Sequence, residues 1–228
     1  MAQYHADLQE SLQEAQDEWA DSEEADAIQS WVDRLDSEEL IEAAIREVIK
    51  QPERPLNQEC LNQVTWLVIC AEGLKDISQI GKLINLESLI LSRNDITDLE
   101  PLTNLVKLKF LSLDDNKNIN DLTPVSKLKS LEELELSGCC LEDVSALSEL
   151  EDLRNLGLPA NLLTTTRSLS SLKNLERLNL DYNIFLKDLD GLSELKKLTY
   201  LSLDETEKLP ESEIEKIKAS LPDCEISR

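Results

Sequence analysis

Leucine returns at intervals of 22 or 23 residues through most of this chain, and that return leaves little choice of architecture. The stretch from Leu89 to Leu111, LILSRNDITDLEPLTNLVKLKFL, gives the unit: leucines two apart, Asn94 three places after Leu91, then Ile96, Leu99, Leu102, Leu105 and Leu108. Successive units start at Leu67, Leu89, Leu111, Leu134, Leu156, Leu178 and Leu201, with spacings of 22, 22, 23, 22, 22 and 23. A three-residue strand buries too little to stand alone. Stacked beside similar neighbours it becomes one rung of a parallel ladder, and its leucines become one slice of a continuous core. The asparagine position holds Asn94, Asn116, Asn161 and Asn183, with Glu72, Cys139 and Thr206 in the other units. An amide there satisfies backbone groups where the chain leaves the strand. The extra residue of each long unit falls just after the asparagine, before Ile119 and Leu186.

From about residue 56 to 226 the chain resembles the 22-residue leucine-rich repeats of bacterial internalins and of the cytosolic regulators of protein phosphatase 1. The phrase Ile96-Thr97-Asp98-Leu99-Glu100-Pro101-Leu102 carries the likeness, and Leu122-Thr123-Pro124-Val125 echoes it. The resemblance implies an α/β solenoid: a leucine-rich-repeat horseshoe with a concave parallel β-sheet and 3₁₀ or short-helix turns on the convex side. It implies protein binding as the usual role and carries over no catalytic residues.

The formal net charge is −24, and residues 1–50 hold 15 acidic against 3 basic side chains. Such a surface repels nucleic acid and anionic membranes and speeds encounter with basic proteins. No stretch approaches the 18 apolar residues of a membrane span, and the N-terminus lacks the basic and apolar regions of a secretory signal. Five cysteines (Cys60, Cys70, Cys139, Cys140 and Cys224) follow no disulfide-framework spacing, which favours a reduced, cytoplasmic setting.

Ahead of the repeats the pattern changes to helical. Tyr4, Leu8, Leu12, Ala15 and Trp19 form an i, i+4 stripe, and Ile28, Trp31, Val32 and Leu35 form a second. A third helix carries Leu40, Ile41, Ala44, Ile45, Val48 and Ile49 and is ended by Pro52 and Pro55. The expected organisation is an acidic α-helical region and cap over 1–52, repeats over 53–209 and a C-terminal cap over 210–228. Trp19 and Trp31 are candidate anchors for a second docking element, since tryptophans on amphipathic helices often seat partners.

Side chains alternate along a strand, so the residues flanking each leucine pair face the concave side. The first rungs there are apolar (Trp66, Val68, Cys70, Ala71 and Ile90), with Arg93 and Phe110 following. Asp114, Asp115, Glu133 and Glu135 make rungs three and four acidic, and rung five is flat and small. Arg177, Asp181, Tyr182, Tyr200, Asp204 and Glu205 set aromatics among carboxylates on the last two. Seven rungs about 4.8 Å apart span on the order of 30 Å, the scale of a protein interface. Rings supply contact area and acids steer, a combination suited to a partner with a basic surface.

Catalysis finds no footing. The only histidine is His5, outside the repeats, and no glycine-rich phosphate loop is present. Cys139-Cys140 is not a metal-ligand spacing, and no cofactor motif occurs. The expected function is a non-catalytic adaptor or regulator gripping another protein. The alternatives are an acidic inhibitor of a basic enzyme, or a bacterial host-directed effector whose N-terminal helices carry targeting information.

Overall fold

The structure is a computed structural model that describes residues 36–50, 55–70 and 73–228. The helices expected before residue 36, with Trp19 and Trp31, lie outside the described residues. Ser37–Arg228 form one compact unit.

Among the described residues, eight three-residue strands form one parallel sheet in sequence order. They are β1 (Trp66–Val68), β2 (Ser88–Ile90), β3 (Phe110–Ser112), β4 (Glu133–Glu135), β5 (Asn155–Gly157), β6 (Arg177–Asn179), β7 (Tyr200–Ser202) and β8 (Glu225–Ser227). Each expected strand-start leucine is the middle residue of its strand. The register runs Leu67, Leu89, Leu111, Leu134, Leu156, Leu178, Leu201 and finally Ile226 of the eighth strand. These leucines, and those two residues on, are almost wholly buried.

The return path of each repeat runs through 3₁₀ turns such as Glu100–Asn104, Thr123–Lys127 and Ser145–Glu149. The aspartate two residues before each of these turns accepts the first N–H of the turn: Asp98 from Glu100, Asp121 from Thr123, Asp143 from Ser145. Pro101 and Pro124 follow at positions whose N–H has no partner to lose. That is the physical content of the I-x-D-L-x-P-L phrase.

Where the chain leaves each strand, the asparagines form a buried ladder. Asn161 Nδ2 donates to Leu136 O at 2.8 Å, Leu158 O at 3.1 Å and Pro159 O at 3.2 Å, while Oδ1 accepts the Leu141 N–H at 2.9 Å. Asn94, Asn116 and Asn183 repeat the scheme, accepting from Leu74, Ile96 and Leu163. Cys139 and Thr206 donate to Leu113 O and Leu203 O, but neither takes the loop N–H that an asparagine there would receive. Each follows a 23-residue repeat, and the added residue explains why donation suffices. It turns the loop so that the N–H the missing amide would have received bonds within its own repeat: Ile119 N–H to Asn116 O, and Leu186 N–H to Asn183 O. Cys139 is held as a neutral thiol, its pKa pushed up to about 12 by burial.

Both ends of the core are covered. Helix α1 (Ser37–Ile49) buries Leu40, Ile41 and Ile45, and Ser37 Oγ accepts the N–H groups of Lys75 and Asp76. A short helix α2 (Gln58–Leu61) buries Cys60 and Leu61, its first turn capped by Asn57. At the far end α3 (Glu211–Ser220) buries Ile214 and Ile217 and leads into β8, just beyond which Arg228 pairs with Glu211. An open solenoid end would otherwise expose core leucines.

Candidate partner-binding face

The face of the sheet opposite the buried leucines presents the residues that flank them. Trp66 stands at the first edge and is 48% exposed. Phe110, expected to offer its ring to a partner, is buried at 6% exposure, and its strand neighbour Ser112 is fully buried. Alternation assigns a side chain to a face, but its exposure is set by the neighbouring side chains, and here they close over it.

Asp114 is also less free than its place in the sequence suggests. Its Oδ1 accepts the Ser137 N–H at 2.7 Å and its Oδ2 accepts the Ser112 hydroxyl at 3.1 Å. The Ser112 hydroxyl also lies 2.7 Å from that of Ser92. Asp181, in the sixth repeat, acts in the same way and accepts the Asp204 N–H at 2.8 Å. Asp204 in turn accepts the Ser227 hydroxyl at 3.3 Å. These carboxylates brace one repeat against the next, and burial holds the Asp114 carboxyl above the usual carboxylate range.

Glu135 is the unusual acid of the face. It lies over Gly157 of the adjacent strand, in the space a side chain there would take, since a Cβ on Gly157 would collide with Glu135 Oε2. Burial, then Asp114 and Glu133, push its pKa up to about 8, and all three act in the same direction. A carboxyl in this setting keeps its proton at neutral pH and gives it up when a cation arrives. Glu133 is half-buried beside it.

On the last rungs Arg177 and Tyr200 are register partners, and the guanidinium sits 4.5 Å from the ring centroid. The two expected contact residues therefore engage each other. Arg93, Asp115, Tyr182 and Glu205 are exposed, Tyr182 at 57%. All four have left-handed backbone, with φ of 59°, 56°, 58° and 58°. Ala160 (φ 53°) and Gly138 (φ 63°) fill the same column, one residue before the asparagine position. Only Gly138 hinted at that conformation in the sequence.

Four exposed apolar residues escaped the sequence reading: Ile84 at 46%, Val106 at 57%, and Ile184 at 45% and Phe185 at 37% directly after Asn183. Periodicity assigns them to a loop and is silent on whether the loop needs them. The geometry brings together the acids of rungs three and four and the Arg177–Tyr200 pair. Trp66, on β1, lies six strands from β7, so it shares no patch with that pair. Among the described residues no group of three or more His, Cys, Asp or Glu side chains is placed to hold a metal ion. No helix among them is long and apolar enough to cross a membrane.

A family model for leucine-rich repeats matches residues 84–127 and 106–150. Leucine-rich repeat-containing protein 56 of Mus musculus is 39% identical over 74 residues, which cover 32% of this chain and 13% of that protein. The Rattus norvegicus protein of the same name is 45% identical over 60 residues, 26% of this chain and 10% of that one. The matched segment is thus a small fraction of those relatives' length. Among solved structures, internalin C2 from Listeria monocytogenes superposes with a TM-score of 0.74 at 29% identity, covering 82% of this chain and 81% of that one. A leucine-rich-repeat protein of Leptospira interrogans gives 0.57 at 26% identity, covering 77% and 52%. The eight parallel rungs, the asparagine ladder and these likenesses agree: the chain is a leucine-rich-repeat protein, with a fold that serves in general as a protein–protein interaction module.

Proposed function

We propose that the chain is a non-catalytic adaptor or regulator of the cytoplasm that binds a partner protein with a basic surface through the exposed sheet face. The contact is centred on rungs four to seven, with Glu133 and Glu135 on β4 and the Arg177–Tyr200 pair across β6 and β7. Glu135 is the observation that carries the reading. Its carboxyl lies on the sheet face among Asp114 and Glu133 with burial working against its charge, so a partner's Lys or Arg would relieve an unfavourable arrangement. The net charge of −24 would steer such a partner from a distance.

The test is affinity capture from the native cell with the full chain, followed by kinetics on the partner obtained. Glu133→Gln with Glu135→Gln should slow association several-fold and flatten its salt dependence. An acidic partner, or unchanged kinetics, would reject the proposal. Residues 1–35, with Trp19 and Trp31, form a proposed second docking element. Deleting them should weaken capture while the repeats still melt as before.

A further inference from the structure

The two 23-residue repeats use the same loop for different ends. Both insert their extra residue after the asparagine and both return the loop N–H to that asparagine's carbonyl. In the earlier one the two residues after Asn116 are Lys117 and Asn118, exposed and polar. In the later one, at the matching positions, they are Ile184 and Phe185, exposed and apolar. The loop closes equally well with either pair, so its backbone places no demand for apolar side chains there. Exposing them costs roughly 25 cal/mol for each Å² of apolar surface left in water.

Their neighbours extend the patch. Tyr182, next to Asn183, is 57% exposed on a left-handed backbone that disfavours a ring-bearing residue. Leu162, one repeat earlier, is half-buried. On the other side the following repeat places the exposed acids Glu205 and Glu207. Lys208 already lies over the Phe185 ring, 4.3 Å from its centroid, so the ring's face accepts a cation.

We propose that this loop patch, off the sheet face, is a docking site for a basic amphipathic segment of another protein. Leu162, Tyr182, Ile184 and Phe185 take its apolar side chains, and Glu205 and Glu207 take its Lys or Arg. Charge selects this occupant over two others. A second copy of a chain with net charge −24 would bring acid to acid, and the chain's own first 50 residues hold 15 acidic against 3 basic groups. The site does not depend on the sheet-face reading and can stand or fall alone.

A random-peptide library displayed on phage, selected on the full chain, tests it. The enriched peptides should place Lys or Arg beside large apolar residues. A synthetic copy, followed by fluorescence anisotropy, should bind at least ~10-fold more weakly to I184Q/F185N, a neutral analogue of the Lys117-Asn118 pair. The variant's thermal midpoint should not move. Should the double variant fold poorly, I184Q alone should weaken binding at least ~3-fold. E133Q/E135Q, on the sheet face, should change affinity less than ~2-fold, which separates failure here from failure of the proposed function. Enriched peptides without basic residues, or equal affinity for I184Q/F185N, would overturn the proposal. So would sedimentation showing a dimer that I184Q/F185N dissociates, since the occupant would then be a second copy.

Discussion

Repeats four and five sit side by side in one sheet, yet they solve the same problems differently. Repeat five satisfies the chain's exit from the strand with Asn161, which donates to three carbonyls and accepts one N–H. Repeat four uses Cys139, which donates to Leu113 O and does not take the Ile119 N–H. On the exposed face repeat four carries Glu135, and repeat five carries Gly157, over which Glu135 lies. In the left-handed column repeat four has Gly138 and repeat five has Ala160, and repeat four adds a second left-handed residue, Cys140, just after Cys139. The lesson is that a repeat is completed by its neighbour. Cys139 suffices because repeat three is one residue longer, and Glu135 has its place because repeat five has no side chain there.

Asn161→Ala attacks the comparison most directly. It strands the Leu136 carbonyl and the Leu141 N–H, while Leu158 O keeps Asn183 Nδ2 and Pro159 O keeps the Gly138 N–H, and it should lower unfolding free energy by about 2–4 kcal/mol. Cys139→Ala, which removes one weak donor, should cost about 1 kcal/mol. Equal losses in urea denaturation would refute the division of labour between amide and thiol. Next in size is the coupling between length and ladder. Deleting Asn118 makes repeat three 22 residues long and strands the Ile119 N–H. Adding Cys139→Asn should then recover about 2 kcal/mol, whereas Cys139→Asn alone should be neutral or harmful. A double-mutant cycle without favourable coupling would break the account.

The Glu135 contrast is sharpened by pH. With a folded pKa of about 8, raised from 4.5, the folded state keeps a proton the unfolded chain has released across that interval. Stability contributed at this site should therefore fall as pH rises from about 4.5 to about 8. Glu135→Gln should remove that slope and be more stable than the parent at pH 9, by about 1–2 kcal/mol. Melts collected across the interval with identical slopes for both proteins would exclude it. Ala160→Gly should have the smallest effect. Relief of the left-handed strain outweighs the added freedom of the unfolded chain, for a gain of about 0.5 kcal/mol. A lower melting midpoint would argue that Ala160 is packed rather than strained.

Much of the scaffold was legible because leucine spacing reports directly on a stacked core. Every strand fell where Leu67 to Leu201 placed it, and the segment ending in Ile226 closes the sheet as expected. The position of the extra residue before Ile119 and Leu186 was legible too. Its pairing with Cys139 and Thr206 was not, because that link runs through a backbone carbonyl, and no side chain records it. The candidate face was read less well. Strand alternation named Phe110 and Asp114 as outward residues, but the burial of one and the bracing role of the other depend on adjacent rungs. Arg177 and Tyr200 are 23 positions apart, and only the register shows that they meet. The left-handed column was hidden because most of its members are not glycine.

The asparagine–thiol exchange also bears on how such arrays change by duplication and recombination. Copying the 23-residue unit Leu111–Glu133 alone would set a long loop against an incoming amide whose acceptor has nothing to receive. Copying it together with the start of the next unit, through Cys139, would transfer a self-consistent joint. The heritable brick of this protein therefore straddles the boundary between consecutive units, and a grafting scheme cut at the strands would divide it.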